Sequence, residues 1–159
     1  MEPVPRTHLG VMAGLLEIVE DYQGKVDAAK IADELMLELD DILPAIEAAE
    51  MLGFIKVDSG DLILTDKGKE YLAANSMQRK KILHQLLSKI GLFQWLIEQL
   101  KKRGNEMSKD ELIALLEGEM PDVDATKLIK WIIEWGRHAL ILRYDSNSQT
   151  IRLGELVER

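Results

Sequence analysis

The side chains able to do acid–base or metal chemistry are few in this sequence, and they stand apart. The histidines, His8, His84 and His138, fall on separate segments, with no carboxylate or second histidine at the spacing a metal ion or a general base would need. They read as surface or boundary residues. The adjacent carboxylates Asp40 and Asp41 could in principle share a proton, but they open a helical stretch, where negative charge complements the helix dipole and caps free N–H groups. Cysteine is absent, which excludes disulfides and thiolate zinc sites and suits a reducing cytoplasm. No glycine-rich loop is followed by Lys-Ser or Lys-Thr, and no glycine fingerprint follows a strand, so nucleotide phosphates have no cradle. The expectation is a chain that is not an enzyme, with no catalytic residue, no cofactor and no metal site.

Reading nucleic acid is a different chemistry and needs Lys, Arg, Asn or Gln on a helix that enters the major groove. The helix expected over residues 40–52 has none of these and carries Asp40, Asp41, Glu47 and Glu50 instead. Its counterpart in the second half is better equipped, with Lys127, Lys130 and Arg137, and Arg143 follows on a hairpin. On that helix Trp131 and Trp135 dominate the apolar stripe and read as core, and Glu134 offsets one charge. Two further basic clusters, Arg79-Lys80-Lys81 and Lys101-Lys102-Arg103, lie near helix ends and read as solvated ends. The overall charge is −8, unevenly spread: residues 1–75 hold 6 Lys and Arg against 16 Asp and Glu, residues 76–159 hold 14 against 12. An acidic half repels a duplex unless a local basic stripe outweighs its field.

The elements that must position these residues follow from periodicity and punctuation. An opening helix is expected over 7–22, with Leu9, Met12, Leu15, Leu16 and Val19 on one face and Gly24 beyond its end. Residues 28–36 form a second helix, a bend follows through Leu37-Glu38-Leu39, and a third helix has Leu39, Ile42, Leu43, Ile46, Ala49 and Leu52 at the spacing of one buried face. Gly53 ends it. Phe54-Ile55-Lys56-Val57, the turn Asp58-Ser59-Gly60-Asp61 and Leu62-Ile63-Leu64 make a hairpin, and Thr65 caps the next helix.

The same order recurs in the second half. Helices are expected over 77–89 and 92–103, interrupted by Gly91. Ser108 and Glu111 form a capping box before Leu112, Ile113, Leu115 and Leu116, and Gly118 to Pro121 stop that helix. Asp124 caps a helix ended near Gly136, and a hairpin turns through Asp145-Ser146-Asn147-Ser148. Helix, helix, hairpin is a winged-helix order. The expected fold is mainly α with small β-hairpin wings: tandem winged-helix domains over 1–75 and 92–159, joined by a helical connector over 76–91.

No segment reaches the roughly 20 apolar residues of a membrane helix, and Met1-Glu2-Pro3-Val4-Pro5-Arg6 lacks the apolar core of a signal peptide. A cytoplasmic protein without membrane insertion is expected. Met36, Leu37 and Met51 exceed what the first unit's own core needs, a sign of an interface.

Specific residues also carry a family resemblance. Ile31-Ala32-Asp33-Glu34-Leu35, the run from Asp40 to Phe54, and Leu64-Thr65-Asp66-Lys67-Gly68 are similar to the AAA-associated C-terminal domain. So are Arg79-Lys80-Lys81-Ile82, Leu86-Leu87, and Trp135-Gly136-Arg137 before Tyr144-Asp145. The resemblance covers roughly residues 5–153, in motifs of packing and capping rather than catalysis. Domains of that family are appended to ATP-binding subunits of nitrate, sulfonate and taurine type ABC importers and also occur as separate chains. The resemblance, together with the acidic third helix, points to a regulatory, protein-binding module whose partner is an ABC transporter ATP-binding subunit; the residues themselves, not the family, offer Glu47, Glu50 and Met51 as candidate contacts and the amphipathic helix over 77–89 as a homodimer surface. The alternative is a DNA-binding regulator contacting nucleic acid through Lys127, Lys130, Arg137 and Arg143.

Overall fold

The computed structural model describes residues 4–159; residues 1–3, which begin the stretch read above as lacking a signal-peptide core, lie outside the described residues. The chain divides into two compact units. One is Pro5–Arg79, and the other is Lys80–Arg159 together with Val4.

The first unit runs α1 (Leu9–Asp21), β1 (Lys25–Asp27), α2 (Ala28–Glu34), α3 (Leu39–Met51), β2 (Ile55–Asp58), β3 (Asp61–Leu64) and α4 (Asp66–Ala73). α5 (Ser76–Leu87) spans the division at 79/80. The second unit continues with α6 (Gly91–Lys101), β4 (Glu106–Ser108), α7 (Lys109–Glu119), α8 (Ala125–His138), β5 (Leu142–Asp145) and β6 (Thr150–Leu153). The fold is thus mainly helical with two small antiparallel sheets.

Each hairpin expected from the sequence gains a third strand. β3 pairs with β2 on one side and with β1 on the other, Val26 facing Leu62. In the second unit β6 lies between β5 and β4, Met107 facing Ile151. Helix, strand, helix, helix, strand, strand therefore occurs twice, with the same strand order in both sheets.

Local chemistry sets the helix ends. The Thr65 side chain accepts from Gly68 N–H at 3.1 Å and donates to the Gly53 carbonyl at 2.6 Å, tying the start of α4 to the end of α3. Gly53 takes the left-handed conformation, φ +79°, that terminates α3. Asp124 accepts from the amides of Thr126 and Lys127 at the start of α8. Ser108 accepts from Glu111 N–H, while the Glu111 carboxylate accepts from Arg103 at 2.8 Å. Only the serine half of the expected capping box is therefore seen, because a guanidinium outcompetes a backbone amide for that carboxylate.

Each unit has buried side chains of its own. Met12, Leu16, Ile31, Phe54, Leu62 and Tyr71 form the centre of the first, with Phe54 and Tyr71 stacked at 4.7 Å. Phe93, Leu112, Ile129, Ile132, Trp135 and Ile151 are the corresponding core residues of the second.

Three readings, one from periodicity, one from glycine punctuation and one from charge, are corrected. Leu39 and Leu43 of α3 are exposed rather than part of a buried face, since the core of this small unit meets a narrower stripe than the apolar spacing allows. Gly136 does not end α8, which continues to His138. It is buried, and a methyl group there would fall 2.6 Å from Leu142 Cδ2, so the helix packs closely on the hairpin and the Leu142 side chain would have to shift to admit one. Arg79 is not a solvated helix end: its guanidinium donates to the Tyr71 and Leu72 carbonyls at 3.0 Å, closing the C-terminus of α4.

Candidate protein-docking site

The connection between α2 and α3 collects apolar side chains on the surface. α2 closes with Met36 N–H donating to the Asp33 carbonyl and Leu37 N–H to the Ala32 carbonyl, which puts Met36 in the left-handed region at φ +57°. Glycine is the usual residue there, because a side chain costs about 1–2 kcal/mol in that conformation. Methionine is in its place and is 91% exposed. Leu35 and Leu37 beside it, and Leu39 and Leu43 on α3, are exposed as well. The four leucines are each a little more than half covered, so the run is partly exposed around a methionine in a conformation that costs a side chain energy.

Next to this run a groove of about 240 Å³ opens between α1, the connection and α3. Gly10, Val11, Gly14, Leu15 and Ile18 of α1 form one wall; Leu35, Leu37, Asp41, Ile42 and Ala45 form the other. Gly10 and Gly14 lie one turn apart, and a Cβ at either would meet nothing within 4 Å. The lone carboxylate of the lining, Asp41, accepts from Glu38 N–H at 3.0 Å and completes a capping box for α3. Charge on the elements around the groove is predominantly negative: residues 7–24 and 31–55 contain no Lys or Arg, and they contain Glu17, Glu20, Asp21, Asp33, Glu34, Glu38, Asp40, Asp41, Glu47 and Glu50, while Lys30 precedes Asp33 on α2. The Glu34 carboxylate accepts from the Tyr22 hydroxyl and, ahead of desolvation, raises that phenol's pKa. Lys30 stacks over the Tyr22 ring at 5.0 Å.

Glu47, Glu50 and Met51 are all exposed on α3. Helical spacing puts them with Leu43 on an outer flank, away from the flank that Asp41, Ile42 and Ala45 turn to the groove. The three are brought together, but not with the groove.

In the second unit Lys130 and Arg137 line a cleft of about 430 Å³ with Lys80, Ile133, Glu134 and His138. Desolvation lowers the His138 pKa; Glu134 opposes this, and Lys80 and Arg137 add to it. Lys127 is exposed one turn before Lys130. Arg143 stands on β5 and pairs with Glu155 at 3.3 Å. His84 Nδ1 lies 2.9 Å from the Ala139 carbonyl, His8 is exposed, Trp135 is fully buried and Trp131 is half-buried.

Sequence reasoning missed Gly10 and Gly14. The available signal was glycine at i and i+4 inside an apolar helix, which is unfavourable for the helix and therefore needs a reason.

The sequence profile of the C-terminal AAA-associated domain matches residues 29–145, well over half of the chain. The protein belongs to the C-terminal AAA-associated domain family. No curated protein and no solved structure matches the chain. Among the described residues no helix is long and apolar enough to cross a membrane, and no group of three or more His, Asp or Glu is placed to hold a metal ion.

Proposed function

We infer that this chain is a non-catalytic, regulatory protein-binding module that works with an ATPase, the ATP-binding subunit of an ABC transporter. Two winged-helix domains, over 1–75 and 92–159 with 76–91 between them, would make up the module. The repeated element order and strand order support that reading, and so does membership of an AAA-associated family.

The observation that carries the function is the exposed apolar run Leu35, Met36, Leu37, Leu39 and Leu43 on a unit whose would-be recognition helix α3 is acidic. Apolar side chains gathered at one partly exposed site around a 91% exposed Met36 suit contact with another macromolecule, and their anionic surroundings disfavour a duplex. Glu47, Glu50 and Met51 extend the contact surface along α3. The test is capture of partners from native lysate by the tagged full chain, with and without nuclease, followed by mass spectrometry. Enrichment of a transporter ATP-binding subunit that survives nuclease is expected. Absence of any ATPase would overturn the reading.

One observation favours a second reading, a DNA-binding regulator: Lys80, Lys130 and Arg137 share a cleft, with Lys127 on the same helix. That reading predicts DNA affinity that falls steeply with salt and collapses when Lys127, Lys130, Arg137 and Arg143 are changed to Ala. A shift that is undetectable or independent of salt would remove it.

A further inference from the structure

We propose that the groove between α1 and the α2–α3 connection seats a basic amphipathic helix of a partner protein. The proposal rests on the reading of this chain as a protein-binding module and names the chemistry of what it binds.

The lining decides that the occupant is apolar on one face. Leu35, Leu37, Val11 and Ile18 offer hydrocarbon, and the one carboxylate, Asp41, is already engaged in capping α3. Backbone chemistry decides that it is helical. The walls are α1 and α3, whose amides and carbonyls are used internally, and neither edge strand of the sheet, β1 or β2, lines the groove. An extended segment lying there would bury its own N–H and C=O groups without partners, whereas a helix carries its hydrogen bonds with it. Gly10 and Gly14 leave a track open on α1, so the backbone of an incoming helix can approach closely.

Charge decides the flanks. The groove-lining elements carry Glu17, Glu38 and Asp40 with no Lys or Arg in residues 7–24 or 31–55, and Lys30 on α2 is outweighed by Asp33 and Glu34 of that helix, so the complementary partner carries Lys and Arg beside its apolar stripe. The same acidic face on a second copy would be repelled.

The test is selection on the full chain from a displayed library of helical peptides with apolar and charged positions randomised, then anisotropy titration of the enriched peptides. Enriched sequences should place apolar residues at i, i+3 or i+4, and i+7 with Lys or Arg alongside. Their affinity should weaken at high salt and fall at least tenfold for Gly14→Leu, which fills the groove from a position with free space around it. Val11→Arg, at an exposed lining position, should give the same loss, so the result does not depend on one variant folding. No enrichment, acidic or extended winners, or unchanged affinity for both variants would overturn the proposal. So would a dimer in sedimentation that Gly14→Leu dissolves, because the groove would then belong to a second copy. If no basic helix is selected while the wild type captures the ATPase, the groove is refuted and the module stands. If basic helices are selected but no ATPase is captured, the groove stands and the ATPase reading falls.

Discussion

Gly68 and Gly14 both lie inside helices of the first unit, and adding one methyl group to each should move stability in opposite directions. At Gly14 the new Cβ meets nothing within 4 Å, so only helix propensity changes, and Gly14→Ala should stabilise by up to ~1 kcal/mol. At Gly68 the methyl would fall 2.6 Å from Leu64 Cδ1, 3.2 Å from the Phe54 carbonyl carbon and closer still to that carbonyl's oxygen. The leucine can rotate, but the carbonyl cannot move freely, because it accepts the Thr65 N–H at 3.0 Å where α4 is joined to α3. Overpacking costs about 1–3 kcal/mol, and a clash with backbone falls in the upper part of that range, about 2–3 kcal/mol; less a propensity gain of up to ~1 kcal/mol, the net loss is about 1–2 kcal/mol. For a unit of this size ~1 kcal/mol corresponds to roughly 4–8 °C in Tm, so Gly68→Ala should melt roughly 4–16 °C lower and Gly14→Ala up to roughly 8 °C higher. Thermal unfolding by far-UV circular dichroism measures both, and tryptophan fluorescence separates the units, since Trp95, Trp131 and Trp135 all lie in the second. An unchanged or raised Tm for Gly68→Ala would refute the packing argument.

Met36→Gly removes a left-handed side chain and an exposed apolar one together; stability should stay level or rise by up to ~1 kcal/mol in urea titration, while capture of the partner weakens. A loss of stability would show that the methionine packs in the free protein. The Asp145 carboxylate accepts from the amides of Ser148 and Asn147 in the β5–β6 turn, with Arg152 nearby, so its pKa is held below the ordinary aspartate value. A depressed folded-state pKa means that the carboxylate's contribution to the turn is present above about pH 3.9, the unfolded value, and is lost as pH falls through the folded one. Carbon-13 NMR titration should place the Asp145 midpoint below ~3.9; a midpoint above it would contradict the turn geometry.

How far the sequence could be read tracks how local each cause is. Thr65, Ser108 and Asp124 announced their helices because a cap needs only amides two or three residues away. Both hairpins were visible because β-prone runs flank turn residues. β1 and β4 were not, since three residues with a single buried side chain, Val26 or Met107, are too short to show alternation. Leu39 and Leu43 misled because spacing identifies an apolar stripe but not how much of it a core covers. Met36, Leu37 and Met51 were recognisable as surplus from composition, and all three are exposed. The groove itself was illegible: it exists only when Gly14 of α1 and Leu37 of the connection, far apart in the chain, face one another across space.

As proposed, the exposed apolar run on the acidic unit holds an ATPase. The most direct test is parallel capture from nuclease-treated native lysate by the wild type and by a Met36→Ser, Leu43→Ser double variant, both positions being solvent-exposed. An ABC transporter ATP-binding subunit should be enriched on the wild type and at least tenfold depleted on the variant. Equal recovery on both, or recovery on neither, would contradict the proposal.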